Sequence, residues 1–155
     1  MRNAFINFLS ELAREDKDAT LVTGDLGFSV FEDFSEKFPS QYLNCGVSEQ
    51  NMIGVSSGMA LSGRKPWVYS IIPFLTMRPF EQIRNDICYN NLNVKLIGAG
   101  AGFSYGHLGV THYAIEDVAI LRALPNIMIF SPADIIETEQ LLKLVSESAN
   151  PAYLR

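Results

Sequence analysis

Short apolar runs alternate along the chain with segments of helical periodicity, and this alternation limits the folds that the chain can adopt. Phe5, Ile6, Leu9 and Leu12 recur at helical spacing and predict a helix over residues 3–17. Continuous apolar runs follow as ATLVTGDLG (19–27), QYLNCG (41–46), KPWVYSII (65–72), NVKLIGAG (93–100), NIMIFSP (126–132) and PAYLR (151–155). Because strands that are buried on both faces read as continuous apolar runs, the sequence predicts an α/β fold, a parallel sheet with helices on both faces.

Predicted helices separate these strands. They are SVFEDFSEKF (29–38), a helix capped by Ser48 and ending near Leu61, a helix that begins at Pro79 and continues through FEQIRNDICYNN (80–91), AIEDVAILRAL (114–124) and ADIIETEQLLKLVSES (133–148). The sequence shows neither a repeat nor a linker, so we expect one domain over residues 1–155.

Composition excludes several classes of protein. The net charge is -5 and no Lys/Arg cluster occurs, which argues against a nucleic-acid partner. No apolar run is long enough to span a bilayer, and the amphipathic start lacks the features of a signal peptide. Cys45 and Cys88 are far apart without metal-type spacing, so we expect reduced thiols in a cytoplasmic protein.

Glu49 is a lone carboxylate at the start of a helix made otherwise of small and apolar residues. A helix without a polar face is predicted to be buried on all sides, and the dipole at its N-terminus favours a carboxylate. The simple interpretation is a first-turn acid with Ser48 as the cap. Because ligands of parallel sheets bind beyond the carboxyl ends of strands, the candidate loops follow Thr23, Gly46, Ser70, Gly98 and Leu154.

The glycine-rich loop at 98–109 contains Phe103 and Tyr105 and precedes His112, one of two histidines. Glycines allow close approach of backbone to a ligand, but a surface turn and an ordinary loop histidine are equally simple interpretations. No Cys or carboxylate completes a metal site with the histidines. Arg84 is interpreted as an ordinary helix arginine.

Several segments together are similar to a known family. They are GDL (24–26), GVSEQNM (46–52), KPWVYSIIPF (65–74), EQIRND (81–86), GAGFSYGHLGVTHYAIEDVAILRALPN (100–126), SPAD (131–134) and PAYLR (151–155). Their order and spacing resemble the central, pyrimidine-binding domain of transketolase-like thiamine diphosphate-dependent enzymes. The resemblance covers essentially the whole chain and implies that family's thiamine diphosphate-binding fold.

The resemblance implies roles for the cofactor-binding residues. Glu49 matches the glutamate that hydrogen-bonds the aminopyrimidine ring of thiamine diphosphate and shares a proton with it. Phe74 matches the aromatic residue that stacks on this ring, and Ile71, Ile72 and Met77 are expected to complete the pocket.

Further residues match the family's substrate site and interface. His112 matches a histidine that polarises ketose oxygens, and Asp25 matches an acid near the thiazolium and the dimer interface. Ser29 and Arg155 correspond to positions that bind a sugar phosphate. The chain departs from the family at Leu108, where an aspartate is usual, at Val110, where a proline is usual, and at Gly98–Gly100, where a histidine is usual.

The family's diphosphate and Mg²⁺ are held by a separate domain with a G-D-G…N motif, which this sequence lacks. We therefore expect a partner subunit or domain that carries this motif, together with a homo-oligomer, and either a split enzyme or a fragment. The expected activity is transfer of a ketol unit between phosphorylated sugars. Alternatives are a 1-deoxyxylulose-5-phosphate-synthase-like enzyme, a 2-oxo-acid dehydrogenase component, or a non-catalytic interaction module.

Overall fold

The sheet contains six parallel strands in the order β2-β1-β3-β4-β6-β5. A computed structural model describes residues 2–155. The strands are β1 (Ala19–Thr23), β2 (Tyr42–Asn44), β3 (Lys65–Ile71), β4 (Lys95–Ala99), β5 (Met128–Phe130) and β6 (Ala152–Leu154). All the predicted strands are present, and each is shorter than the apolar run that predicted it.

Within residues 2–155, seven α-helices precede or connect the strands. They are α1 (Arg2–Glu15), α2 (Glu32–Lys37), α3 (Glu49–Leu61), α4 (Ile72–Thr76), α5 (Phe80–Gln82), α6 (Asp117–Leu121) and α7 (Ile135–Glu147). Short 3₁₀ turns cover Pro39–Gln41, Gly106–Leu108 and Val110–His112.

The core consists of two apolar layers, one on each face of the sheet. Val68 of β3 belongs to the layer that contains Met52 and Ile53 of α3. Its neighbour Trp67 belongs to the other layer, with Leu9 of α1 and Leu142 of α7. Because successive strand residues point to opposite faces, both faces are covered by helices. The predicted fold class is therefore confirmed.

The strand order creates a switch point between β1 and β3. After β1 the chain moves outward to β2, and α3 then returns it across β1 to β3. Open parallel sheets bind ligands beyond the carboxyl ends of strands at such points. Glu49, the first residue of α3, lies at this switch point.

The prediction that α3 is buried on every side is wrong. Glu49, Met52, Ile53, Ser56 and Ser57 are buried, whereas the opposite face, with Gly54, Gly58 and Leu61, is exposed. The prediction failed because glycines count as apolar in the sequence, whereas Gly54 and Gly58 lie on the exposed face of α3. Ser48 is the N-cap residue, but its hydroxyl donates to the Cys45 carbonyl at 2.8 Å and does not cap the helix.

The segment around Pro79 also differs from its prediction. The expected helix from Pro79 is split into the short α5 and a π-helix over Ile83–Cys88, and α4 precedes them. Pro73 in the first turn of α4 and Pro79 at the N-cap of α5 each fit a helix start, where a missing N–H costs nothing.

Lys95 ties β4 to the end of α7. Its buried Nζ donates to the carbonyls of Ser148 and Asn150 at 2.8 and 2.6 Å. Burial lowers the pKa of Lys95 from 10.5 to about 8. The unfolded chain then binds more protons than the folded chain between these values, so this group makes stability rise with pH across that window.

We expect the Lys95 contribution to the unfolding free energy to grow by about 3 kcal/mol between pH 7.5 and pH 10.5. Urea unfolding of the wild type and of Lys95→Met at both pH values measures this contribution as a difference, with the exposed Lys143→Met as the control. Burial raises the pKa of Cys88 to about 11 and opposes the trend, but this effect cancels in the difference. Equal pH dependence of wild type and Lys95→Met would contradict the assignment.

No helix within residues 2–155 has the length and apolar character needed to cross a bilayer.

Candidate functional site

A tight turn after β2 positions Glu49. Asn44 Oδ1 accepts the Gly46 N–H at 2.9 Å, and Ser48 N–H donates to the Gly46 carbonyl at 2.8 Å. Gly46 has φ +70°, a conformation that other residues adopt only at a cost. The chain thereby reverses within a few residues and begins α3 at the carboxyl edge of the sheet.

The Glu49 carboxylate forms an ion pair with Arg78. Arg78 Nη1 donates to Glu49 Oε1 at 2.6 Å, and the glutamate side chain is only 8% exposed. The Arg78 guanidinium also lies over the Phe74 ring, with Cζ 3.9 Å from the ring centroid. The N-terminus of α3 and the end of α4 are therefore joined through one planar cation.

His112 completes this cluster. Its ring meets Phe74 edge-on, with centroids 5.0 Å apart, and it lies 6.3 Å from the ring of Tyr105. Thr111 Oγ1 is 2.9 Å from His112 Nδ1. The structure thus brings together Glu49, Phe74 and His112, three of the residues that the resemblance singled out.

Tyr105 and Ile72 restrict two positions of the glycine loop, Gly100 and Gly98. A Cβ on Gly100, which has φ +87°, would collide with the Tyr105 ring. A Cβ on Gly98 would lie 2.5 Å from Ile72 Cγ1. A histidine at Gly100 would require the Tyr105 side chain to move, and one at Gly98 would require Ile72 to move. Leu108 and Val110 are exposed in the 3₁₀ turns that follow. This part of the site is built around Tyr105.

The three predicted pocket residues have different environments. Ile72 is fully buried and belongs to the core layer beneath the site. Ile71 is the partly exposed N-cap residue of α4, and Met77, at its C-cap, is 38% exposed. Ile71 and Met77 therefore have free surface in this chain, whereas Ile72 supports the site from below.

Asp25 is exposed at the end of β1 and is held by Asn44 of β2. Its N–H donates to Asn44 Oδ1 at 2.9 Å, and Asn44 Nδ2 donates to Asp25 Oδ1 at 3.3 Å. Asp25 has φ +58°, so Asn44 stabilises an unusual backbone conformation. Both residues line a cavity of about 120 Å³ with Phe28 and Tyr42.

Ser29 and Arg155, predicted to bind one sugar phosphate, line different cavities. Ser29 is exposed in a groove of about 720 Å³ between α1 and α2, together with Arg14 and Lys37. Arg155 borders a cavity of about 360 Å³ beyond β4 and β6, together with Tyr105. The shared phosphate site stays a prediction.

A buried network holds Arg155. Asp117, at the start of α6, is fully buried, and its Oδ1 lies 3.4 Å from Arg155 Nη1. Tyr153 donates to Asp117 Oδ2 at 2.7 Å, and Arg155 Nη2 donates to the Ala114 carbonyl at 3.3 Å. Burial, followed by the bond to Asp117, raises the pKa of Tyr153. Asp117 therefore supplies the counter-charge of the guanidinium, and the Ala114 carbonyl supplies its hydrogen bond.

Sequence reasoning did not identify Arg78, Asn44 or Asp117. One feature of the sequence points to Arg78: it is a cation that follows the predicted pocket residues and directly precedes Pro79. Asp117 lies within the segment 100–126 that resembles the family, and no local pattern distinguishes it from a first-turn helix acid. Arg84 is exposed and donates to its neighbour Asn85, in agreement with its interpretation as an ordinary helix arginine. Within residues 2–155, no three His, Cys, Asp or Glu side chains form a group that could hold a metal ion.

Known proteins share both sequence and fold with this chain. One subunit of an apulose-4-phosphate transketolase from Phocaeicola vulgatus is 41% identical over 155 residues, covering 99% of this chain and 50% of the relative. A 1-deoxy-D-xylulose-5-phosphate synthase from Shouchella clausii is 38% identical over 141 residues, covering 90% of this chain and 22% of the relative.

A solved structure of a split-gene transketolase, an inactive beta4 tetramer, superposes with a TM-score of 0.87 at 38% identity. The match covers 99% of this chain and 50% of that one, so the chain spans about half the length of its split-gene relatives. The family model described as the transketolase pyrimidine-binding domain matches residues 1–155. The chain therefore belongs to the family of transketolase pyrimidine-binding domains.

Proposed function

We propose that this chain is the pyrimidine-binding part of a thiamine diphosphate-dependent transketolase that transfers a ketol unit between phosphorylated sugars. The observation that carries the proposal is the cluster of Glu49, Phe74 and His112 at the carboxyl edge of the sheet. Glu49 offers an acceptor, Phe74 an aromatic face, and His112 an imidazole ring beside Phe74.

The side chains fit an aminopyrimidine ring. Glu49 and Phe74 already interact with one flat, nitrogen-bearing group, the Arg78 guanidinium. In the proposed complex, Glu49 holds the ring and exchanges a proton with its nitrogen, Phe74 stacks on the ring, and Ile71 and Met77 exclude water. Thiamine diphosphate, when bound, supplies the electron sink for breaking the ketose carbon–carbon bond.

A partner is proposed to hold the diphosphate and Mg²⁺. The sequence has no G-D-G…N motif, and the described residues contain no group of metal ligands. The related split-gene transketolase is inactive as a beta4 tetramer, which supports the need for a second kind of subunit. We therefore infer that the active enzyme is a hetero-oligomer with the site at the junction of two subunits. Asp25 is proposed to lie beside this junction.

The proposed substrate is a ketose phosphate whose oxygens are polarised by His112. Tyr105 covers the space that a histidine would need at Gly100, so donor recognition differs from that of transketolases with a histidine there. The similarity to a transketolase of apulose 4-phosphate favours an unusual sugar phosphate. The similarity to a 1-deoxyxylulose-5-phosphate synthase keeps a 2-oxo-acid donor as the second candidate.

Reconstitution tests the proposal. The full-length protein and the G-D-G…N subunit are purified separately and mixed with thiamine diphosphate, Mg²⁺ and an aldose phosphate as acceptor. The mixture is assayed with a panel of ketose phosphates and with pyruvate as donors. We expect turnover of a ketose phosphate by the mixture and none by either of the two proteins alone. Turnover of pyruvate, without turnover of any ketose phosphate, favours the second candidate. A complex that forms but converts no donor supports an interaction module and contradicts the proposal.

A further inference from the structure

Arg78 contacts the two groups that an aminopyrimidine ring needs. Its Nη1 donates to Glu49 Oε1 at 2.6 Å, and its Cζ lies 3.9 Å from the Phe74 ring centroid. A guanidinium is planar, stacks on aromatic faces and donates hydrogen bonds in its own plane. An aminopyrimidine that stacks on Phe74 and meets Glu49 edge-on would use the same aromatic face and the same carboxylate.

We propose that Arg78 competes with the aminopyrimidine of thiamine diphosphate for Glu49 and Phe74, so that cofactor binding displaces the guanidinium. This inference rests on the proposed function. The Glu49 side chain is only 8% exposed, which leaves little surface for a second planar partner beside Arg78. One partner must leave before the other can stack on the same side of Phe74.

Arg78 is suited to be the partner that leaves. Its side chain is 47% exposed, so the guanidinium can turn into solvent. The following Pro79 restricts the backbone of Arg78. Gln50 Nε2 also donates to the Arg78 carbonyl at 3.4 Å. Ion pairs and cation–π contacts at such partly exposed sites are weak, so displacement costs little.

The competition gives Arg78 a specific task. A carboxylate that is almost buried and lacks a partner is unfavourable, and Arg78 provides one when the ring is not bound. The same contact lowers the affinity for the cofactor, because the ring must replace the guanidinium. Arg78 is therefore a positioning residue that sets cofactor affinity through Glu49.

Calorimetry on the assembled complex tests this competition. Thiamine diphosphate is titrated, with Mg²⁺ in excess, into complexes that carry wild type, Arg78→Ala or Arg84→Ala. We expect Arg78→Ala to bind about three- to tenfold more tightly than wild type, since the competing contacts are gone. Arg84→Ala removes an exposed arginine that bonds its neighbour Asn85 and should leave the Kd unchanged.

A double variant tests whether the effect passes through Glu49. In a Glu49→Gln complex the ion pair is already absent, although Arg78 can still contact the glutamine oxygen and Phe74, so adding Arg78→Ala should lower the Kd by a smaller factor than in the wild-type background. An equal gain in both backgrounds would overturn the competition for Glu49, as would weaker or unchanged binding by Arg78→Ala in the wild-type background.

Crystal structures of the wild-type complex with and without thiamine diphosphate test the displacement without any variant. We expect the 2.6 Å contact between Arg78 Nη1 and Glu49 Oε1 to open beyond 4 Å when the cofactor is bound. A ring bonded to Glu49 Oε2 while Arg78 keeps Oε1 would overturn the inference but leave the proposed function intact. No cofactor binding by the wild-type complex would overturn the proposed function itself.

Discussion

Replacing Glu49 with glutamine is expected to lower kcat of the assembled enzyme by about 10²- to 10⁴-fold, the range in which a positioned acid–base group contributes. Glutamine keeps the length of the side chain and a carbonyl oxygen that can still accept from Arg78. It removes the group that exchanges a proton with the cofactor ring in the proposed mechanism. Steady-state turnover of the reconstituted complex with saturating thiamine diphosphate measures the effect.

Glu139→Gln is the matched control, because it makes the same chemical change at an exposed position of α7. Its turnover should equal that of wild type. Circular dichroism and gel filtration of the Glu49→Gln complex should match wild type, since the packing of α3 against the sheet does not depend on the Glu49 charge. Undiminished turnover by a correctly assembled Glu49→Gln complex would show that the proton is handled elsewhere.

The sheet could be predicted from the sequence because its signal is local. Each strand is a continuous apolar run, and continuous runs that alternate with amphipathic helices leave few arrangements. The start of α3 was also predictable, since a polar residue and an acid precede an apolar run at residues 48–49. Strand order and pairing register came only from the structure.

The partners of the site residues were not predictable, because they lie far apart in the sequence. Arg78 is 29 residues from Glu49. Local periodicity likewise does not distinguish an α-helix from the π-helix at Ile83–Cys88, because the two differ by one residue per hydrogen-bonded turn. The resemblance suggested Glu49, Phe74 and His112 as candidate site residues, whereas their contacts are known only from the fold.

Replacing Asp117 with alanine is expected to lower the unfolding free energy by about 3 kcal/mol, the range for removing one partner of a buried ion pair. Asp117 is fully buried, and Arg155 is only 16% exposed, so the guanidinium would lose its counter-charge and keep its bond to the Ala114 carbonyl. The Tyr153 hydroxyl would also lose its acceptor at the end of β6. Urea unfolding at neutral pH measures the loss.

Glu116→Ala provides the control, because it removes an exposed carboxylate one residue earlier and should change stability by less than about 0.5 kcal/mol. Asp117→Asn separates charge from hydrogen bonding. It keeps an oxygen for Tyr153 but leaves Arg155 without a counter-charge, so its loss should fall between those of Glu116→Ala and Asp117→Ala. If Asp117→Ala were as stable as Glu116→Ala, the buried network would not hold Arg155, and the end of β6 would depend on packing around Tyr153 alone.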